Sequence, residues 1–303
     1  MRSYRFLQLD VFTDHLFGGN QLAVFPDGRG LSSGTMQAIA KEMNFSETTF
    51  VLPAEDRATD VRMRIFTPGA ELPMAGHPTI GTTFALARTG AIAPGRDRIV
   101  FGLGVGPTPV TMIWADRDLS FAWMTQAQPV FSEAIADRAC AAAALSVPLS
   151  ALATAMPVQV VSCGLPYLLV PFATRQGVDS AALNRSAYDR LAADAAADVN
   201  GVFLFSTEPA TDTATAYSRM FAPAVGVHED PATGSASGPL GCYLVQHKAV
   251  RPETADAMLS LQGVRMGRPS HVHISIGVEG TDIRSVRVGG SSVLAGEGTL
   301  YIP

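Results

Sequence analysis

Arg64-Ile65-Phe66-Thr67-Pro68 recurs about half a chain later as Arg219-Met220-Phe221-Ala222-Pro223. Each copy leads into a turn of small residues that opens a helical pattern. These turns are Ala75-Gly76-His77-Pro78-Thr79-Ile80-Gly81 in the first half and Ala232-Thr233-Gly234-Ser235-Ala236-Ser237-Gly238 in the second. Self-similarity at a fixed spacing indicates a structural repeat, so the sequence predicts two similar halves joined head to tail.

The predicted elements follow one order in both halves. A helix over residues 34–43 corresponds to one over residues 186–197, and the helix that opens at His77 corresponds to one near residues 235–247. This order predicts an α+β fold of two pseudo-symmetric domains, each a curled mixed β-sheet around one central helix. The predicted domains are residues 1–127 and 128–297. A final strand near residues 298–303 is expected to return to the first domain.

Composition excludes several classes of protein. The 303 residues are 47% hydrophobic and 16% charged, with a net charge of −5, so there is no basic surface for nucleic acid. Three widely spaced cysteines fit a reducing compartment. The first residues lack the apolar segment of a signal peptide, which predicts a cytoplasmic protein.

One stretch requires a check as a membrane span. Residues 139–174 contain no charged side chain, but four prolines and several polar residues interrupt them. A spanning helix needs about 20 mostly apolar residues in succession. The stretch is therefore predicted to form a buried helix, a loop and a core strand, and no membrane partner is expected.

The polar residues of the two repeats differ, which is typical of a single site built between two similar halves. Glu47 lies between an apolar helix and an apolar strand, where a buried carboxylate could act as a general acid or base. The alternative is a surface carboxylate at a helix end. His77 opens the first central helix, where it could share a proton with substrate or merely cap a turn.

The second half offers a matching set. Asp230 precedes a proline just ahead of the second central helix, and it could serve either the site or the turn. The backbone amides at Gly76-His77 and Gly234-Ser235 open helices, so both turns could hold a carboxylate or another anion. A cleft between domains is a common place for a small-molecule site.

Cofactor and metal motifs are weak or absent in the sequence. His271 and His273 share a strand face, but no third ligand accompanies them. Neither a dinucleotide fingerprint nor a phosphate-binding loop is present. The sequence thus predicts no cofactor and no metal.

Four segments together resemble the phenazine-biosynthesis PhzF-like proteins, which have the diaminopimelate epimerase-like fold. The segments are Phe66-Thr67-Pro68, Ala75-Gly76-His77-Pro78-Thr79-Ile80-Gly81, Asn44-Phe45-Ser46-Glu47-Thr48 and Glu229-Asp230-Pro231-Ala232-Thr233-Gly234-Ser235-Ala236. The resemblance covers essentially the whole chain. One departure is Gly19-Asn20-Gln21, where the family usually has Gly-Asn-Pro. That change concerns the local pocket wall.

The resemblance implies a cofactor-free isomerase and a homodimer. In the family a glutamate moves a proton between carbons of a small carboxylate-bearing substrate, and Glu47 matches that glutamate. His77 and Asp230 match its other catalytic residues. The positions that would hold substrate are Ser46, Gly76, Gly234 and Ser235.

Racemases of this fold use two thiols at the helix mouths, and the corresponding residues here are expected to be Ala75 and Ala232. A two-thiol racemase is therefore not expected. The competing hypothesis is a small-molecule-binding homologue that keeps the cleft without turnover.

Overall fold

The computed structural model describes residues 1–194 and 199–302. The chain divides into two compact units. The first unit contains Met1–Thr125 and the end of the chain from Arg287, and the second contains Gln126–Val286. The returning segment therefore begins earlier than residue 298. Residue 303 of the predicted last strand lies outside the described residues, as do residues 195–197 of the predicted helix over residues 186–197.

The elements of the first half of the chain are as follows. The strands are β1 (Arg2–Val11), β2 (Asn20–Phe25), β3 (Glu47–Pro53), β4 (Val61–Phe66), β5 (Glu71–Leu72), β6 (Arg98–Leu103), β7 (Gly106–Ala115) and β8 (Asp118–Gln126). The helices are α1 (Ser33–Met43) and α2 (Gly76–Arg88).

The remaining elements continue along the chain. The strands are β9 (Val130–Ala134), β10 (Gln159–Ser162), β11 (Pro166–Pro171), β12 (Val202–Ser206), β13 (Ala216–Ala222), β14 (Val227–Asp230), β15 (Met258–Gln262), β16 (Ser270–Glu279), β17 (Asp282–Gly290) and β18 (Ser292–Ile302). The α-helices are α3 (Arg138–Ala144), α4 (Arg175–Ser180), α5 (Arg185–Asp194) and α6 (Gly234–Gln246). Short 3₁₀ turns lie at Leu149–Ala151, Pro223–Val225, Pro252–Thr254 and Val264–Met266.

The charge-free stretch, residues 139–174, thus forms most of α3, a loop and strands β10 and β11. In the part of the chain that the structure describes, no helix is long and apolar enough to cross a bilayer.

Strand β18 makes up most of the returning segment, which begins near the end of β17. It pairs antiparallel with β1 along almost its whole length, from Arg2 opposite Ile302 to Val11 opposite Ser292. A strand paired over that length belongs to the sheet of its partner, because its backbone groups are satisfied there. The boundary predicted near residue 298 would have cut this strand in two.

The strands of each unit pair in the same order and sense. In the first unit, β2 and β3 are parallel, β3 and β4 antiparallel, β4 and β5 antiparallel, β4 and β6 parallel, and β6 and β7 antiparallel. In the second unit the corresponding pairs are β11–β12, β12–β13, β13–β14, β13–β15 and β15–β16. The strand pairing is mixed in both units, and the prediction of an α+β fold is confirmed.

The central helices α2 and α6 begin at Gly76 and Gly234, one residue before the predicted starts. All residues from 76 to 86 and from 234 to 244 are buried, so both helices are enclosed on every side over these ranges. A surface helix usually buries only one face. Small side chains make this enclosure possible. At Gly81, for example, an added Cβ would overlap the side chains of Leu22 and Val11.

The repeated arginines share one environment. Arg64 on β4 forms a bidentate pair with Glu71, with N–O distances of 2.7 and 2.6 Å. Arg219 on β13 pairs in the same way with Glu229, at 2.8 and 3.0 Å. Each guanidinium also lies over the phenylalanine two residues further along its strand, 5.0 and 4.9 Å from the ring centre. The Arg-x-Phe motif therefore fastens the strand pair that leads to each central helix.

Candidate active site

Glu47 is the first residue of β3, directly after the connection from α1. Ser32 caps the start of α1, because its side chain accepts a hydrogen bond from the amide of Thr35, and Asn44 follows the helix in the left-handed conformation. Met36, Ile39 and Ala40 anchor its buried face. The short turn after Asn44, which contains the half-buried Ser46, delivers Glu47 to the edge of the sheet. Glu47 is only 9% exposed, so the alternative of a surface carboxylate is wrong.

His77 is the second residue of α2 and is 2% exposed. Its Nε2 atom lies 3.3 Å from Oε2 of Glu47. Burial lowers the pKa of His77 to about 3, so the ring is neutral at physiological pH. The contact therefore joins a carboxyl group to a neutral imidazole, and it is not an ion pair at that pH.

Asn20, the first residue of β2, orients the imidazole. Its amide nitrogen lies 3.1 Å from Nδ1 of His77, and Asn20 is 1% exposed. This contact and a hydrogen bond with the backbone of Gln21 hold the ring in place. Strands β2 and β3 are parallel, with Leu22 opposite Glu47, so both begin at the same edge of the sheet. Asn20 stands out in the sequence only within the segment that departs from the family, and not as a site residue.

Gly19 makes this placement of Asn20 possible. Its φ of +62° lies in the left-handed region, and a Cβ atom there would overlap the carbonyl oxygen of Val11. The next residue, Gln21, lies opposite Asp10 in the β1–β2 ladder. The strand therefore continues normally through the position where the family usually has proline.

In the second unit, Asp230 ends β14 and is 6% exposed. Its Oδ2 atom accepts a hydrogen bond of 2.5 Å from the hydroxyl of Thr233. The buried Gln262 on β15 donates from Nε2 to the Thr233 hydroxyl at 3.0 Å and to the Asp230 carbonyl at 2.7 Å. Its Oε1 atom accepts from the Thr233 amide at 2.9 Å. Asp230 therefore belongs to a buried hydrogen-bond network with Thr233 and Gln262, in addition to its place in an Asp-Pro turn.

Ser235 is the second residue of α6, the place that His77 has in α2. Its Oγ atom lies 2.7 Å from the hydroxyl oxygen of Tyr167, and both residues are buried. Neither Ala75 nor Thr233, the residues that precede the two helices, caps its helix with a side-chain hydrogen bond. Backbone amides in the first turn of a helix that have no side-chain cap can donate hydrogen bonds to an anion. Gly76 and Gly234 therefore stay predicted binding positions.

The family model for phenazine biosynthesis-like proteins matches residues 9–298. The trans-2,3-dihydro-3-hydroxyanthranilate isomerase of Pseudomonas aeruginosa is 34% identical over 300 residues, a match that covers 99% of this chain and 100% of that protein. The chain belongs to the PhzF family. A curated relative from Clostridium acetobutylicum is also named an isomerase, and this PhzF-family protein is an isomerase.

Solved structures agree with the assignment. A PhzF-family phenazine biosynthesis protein from Bacillus anthracis superposes with a TM-score of 0.86 and 25% identity, covering 100% of both chains. A hydroxyproline epimerase from Agrobacterium vitis superposes with a TM-score of 0.71 at 14% identity, covering 99% of this chain and 92% of that one. The second likeness shows the fold alone. The predicted diaminopimelate epimerase-like fold of this PhzF-family isomerase is confirmed.

The positions where α2 and α6 begin correct the predicted correspondence between Ala75 and Ala232. The sequence pairs Ala75 with Ala232, but the residue directly before α6 is Thr233, as Ala75 is directly before α2. Neither residue has a thiol. The sulfur atoms of Cys163 and Cys242 lie 3.8 Å apart, and both cysteines are fully buried. Cys242 lies two turns into α6, away from its start.

The described ranges, 1–194 and 199–302, contain no group of three or more His, Cys, Asp or Glu side chains arranged to hold a metal ion. His271 and His273 lie on β16, where His271 is exposed and His273 is half-buried. Sequence reasoning missed Asn20, Tyr167, Thr233 and Gln262 as site residues. Two of them, Asn20 and Thr233, are polar residues next to recognised motifs, and that was the only signal in the sequence. Tyr167 and Gln262 gave none.

Proposed function

We propose that this PhzF-family isomerase moves a proton between carbon atoms of a small carboxylate-bearing substrate, without a cofactor, and that Glu47 is the group that carries the proton. The observation that supports this role is the contact of Glu47 Oε2 with His77 Nε2 at 3.3 Å, in buried surroundings at the start of α2. A carboxylate shielded from water is well suited to take a proton from carbon and return it.

His77 supplies a neutral ring beside Glu47 in this proposal. Because burial lowers its pKa to about 3, it stays uncharged across the working pH range. A neutral imidazole next to the carboxyl group of Glu47 does not favour its negative charge, as an imidazolium would. Glu47 can therefore alternate between its charged and protonated forms during a reaction cycle.

Asp230 and Ser235 are proposed to bind polar groups of the substrate, and Ser46 to assist. The amides at Gly76 and Gly234 would meet negative charge, which develops when a proton leaves carbon. A carboxylate such as acetate is expected to shift the amide resonances of these glycines. Resonance shifts confined to other surfaces would contradict this assignment of the helix mouths.

The first substrate to test is trans-2,3-dihydro-3-hydroxyanthranilate, the compound in the name of the Pseudomonas aeruginosa relative. The test is isomerisation in D2O by wild type and Glu47→Gln, which keeps the shape of the side chain but removes the base. Turnover should fall by about 10²-fold or more in the variant. Asp230→Asn and His77→Ala should impair binding and rate together. Full activity of Glu47→Gln, or complete loss of wild-type activity with EDTA, would overturn the proposal.

The alternative is a homologue that binds small molecules without turnover. The buried Glu47–His77 contact favours the enzyme, since binding alone does not require a base next to a neutral imidazole. Binding of candidate substrates with no solvent deuterium entering them would favour the alternative.

We also propose that the protein acts in the cytoplasm as a homodimer, since closed two-fold dimers are the commonest oligomers. Light scattering coupled to size-exclusion chromatography would test the dimer. A monomer at micromolar concentration would contradict it.

A further inference from the structure

The Asp230–Thr233 turn contains a hydrogen-bond chain with a fixed direction. Gln262 Nε2 can only donate, and it donates to Thr233 Oγ1 at 3.0 Å. The hydroxyl hydrogen of Thr233 is therefore directed to its other neighbour, Asp230 Oδ2, at 2.5 Å. The chain runs from an amide through a hydroxyl to a carboxylate oxygen, and Gln262 is fully buried.

Gln262 also holds both ends of the turn. It donates to the carbonyl of Asp230 at 2.7 Å and accepts from the amide of Thr233 at 2.9 Å. Thr233 does not use its hydroxyl to cap α6, the usual task of a threonine at that position. The Thr233 hydroxyl instead donates to the buried carboxylate of Asp230. This arrangement indicates that the orientation of that carboxylate has a role.

We propose that Thr233 is a positioning residue that holds the carboxylate of Asp230 in the orientation used for isomerisation, and that Gln262 fixes the direction of the Thr233 hydroxyl. This inference rests on the proposed function, because it takes Asp230 to bind the substrate. A hydrogen bond to a charged oxygen is among the stronger ones in proteins, and it also selects one rotamer of the aspartate.

The test compares Thr233→Val, which keeps the shape and removes the hydroxyl, with Thr233→Ser, which keeps the hydroxyl. We expect Thr233→Val to lower kcat/KM for trans-2,3-dihydro-3-hydroxyanthranilate by about tenfold or more, chiefly through a higher KM. Thr233→Ser should restore most of that loss. A variant that is merely less folded would lower the apparent kcat and leave KM unchanged.

Ser237→Ala provides the matched control. Ser237 lies in the first turn of α6, and its buried hydroxyl donates to the Thr233 carbonyl at 2.9 Å. It should lower thermal stability about as much as Thr233→Val and leave KM at the wild-type value. An equal rise of KM in Ser237→Ala would show that the effect comes from the helix start in general, and would overturn the proposal.

Crystal structures of the two Thr233 variants supply a readout that needs no turnover. In Thr233→Val the Asp230 carboxylate should rotate or become disordered, whereas in Thr233→Ser it should keep its place. An unchanged carboxylate in Thr233→Val, with or without loss of activity, would overturn the positioning role. If Glu47→Gln is fully active while Thr233→Val moves Asp230 and raises KM, the proposed function of Glu47 fails and the role of Thr233 stands.

Discussion

His77 Nε2 lies 3.3 Å from Glu47 Oε2, and burial keeps the histidine neutral. Although the pair has the composition of a salt bridge, it is a contact between a carboxyl group and an uncharged ring. The distinction matters because a positive charge beside Glu47 would lower the proton affinity of its carboxyl group, whereas a neutral ring leaves that group able to accept a proton.

The neutral state of His77 makes stability depend on pH. Its pKa is about 3 in the folded protein, against about 6.5 when unfolded, so the unfolded chain takes up the proton first as pH falls. The contribution of His77 is fully present above pH 6.5 and is lost between pH 6.5 and 3, at up to about 1.4 kcal/mol per pH unit. Urea unfolding at pH 7, 6, 5 and 4 should show a smaller loss of stability for His77→Asn than for wild type. Equal slopes would contradict the assignment, since all other titrating groups are shared.

Gly19 should be more sensitive to substitution than another glycine of similar backbone conformation. Gly19→Ala adds a Cβ atom that overlaps Val11 in a left-handed residue, directly before Asn20. Gly90 has a φ of +77°, but its Cβ would meet nothing within 4 Å. Gly90→Ala should therefore cost only the left-handed conformation, about 1–2 kcal/mol, whereas Gly19→Ala should cost more and also lower turnover. Thermal melts and initial rates would check both variants, and equal costs would argue against a special role for Gly19.

The ion pairs of Arg64 and Arg219 should contribute differently to the stability of the folded protein. The Arg219 side chain is more buried than that of Arg64, and its third nitrogen also donates to carbonyls at the end of α4, at 2.9 Å to Val178 and 2.8 Å to Ala181. Lysine keeps the charge but cannot make the forked contact with Glu229 and also reach both carbonyls. Arg219→Lys should therefore lower the free energy of unfolding by about 2–3 kcal/mol, because buried acceptors lose their donors, and Arg64→Lys by roughly 1 kcal/mol. Denaturant titrations would measure both. A larger loss for Arg64→Lys would contradict this ranking.

Much of the fold could be predicted because the repeat left a local signal. Arg64 and Arg219 lie on corresponding strands, where each pairs with a glutamate. Gly76 and Gly234 lie at corresponding helix starts, where both copies have a residue without a side chain. The extent of the return to the first unit could not be predicted, because the pairing of β18 with β1 joins opposite ends of the chain.

The candidate site could be predicted only in part, for a physical reason. Glu47, His77 and Asp230 lie in recognisable local motifs, whereas their partners are brought to them by the tertiary fold. Asn20 reaches His77, and Gln262 reaches Asp230, from distant positions in the sequence. The neutral state of His77 depends on burial, which local sequence does not specify. The individual roles of Glu47, His77 and Asp230 stay predictions.

The central claim is that Glu47 carries the proton, and deuterium entry into the substrate measures that step directly. In D2O, wild type should place solvent deuterium on carbon of trans-2,3-dihydro-3-hydroxyanthranilate, and mass spectrometry would follow the rate. Glu47→Gln should exchange about 10²-fold more slowly or worse, with His77→Asn retaining more activity than Glu47→Gln. Deuterium entry at the wild-type rate in Glu47→Gln would contradict the account.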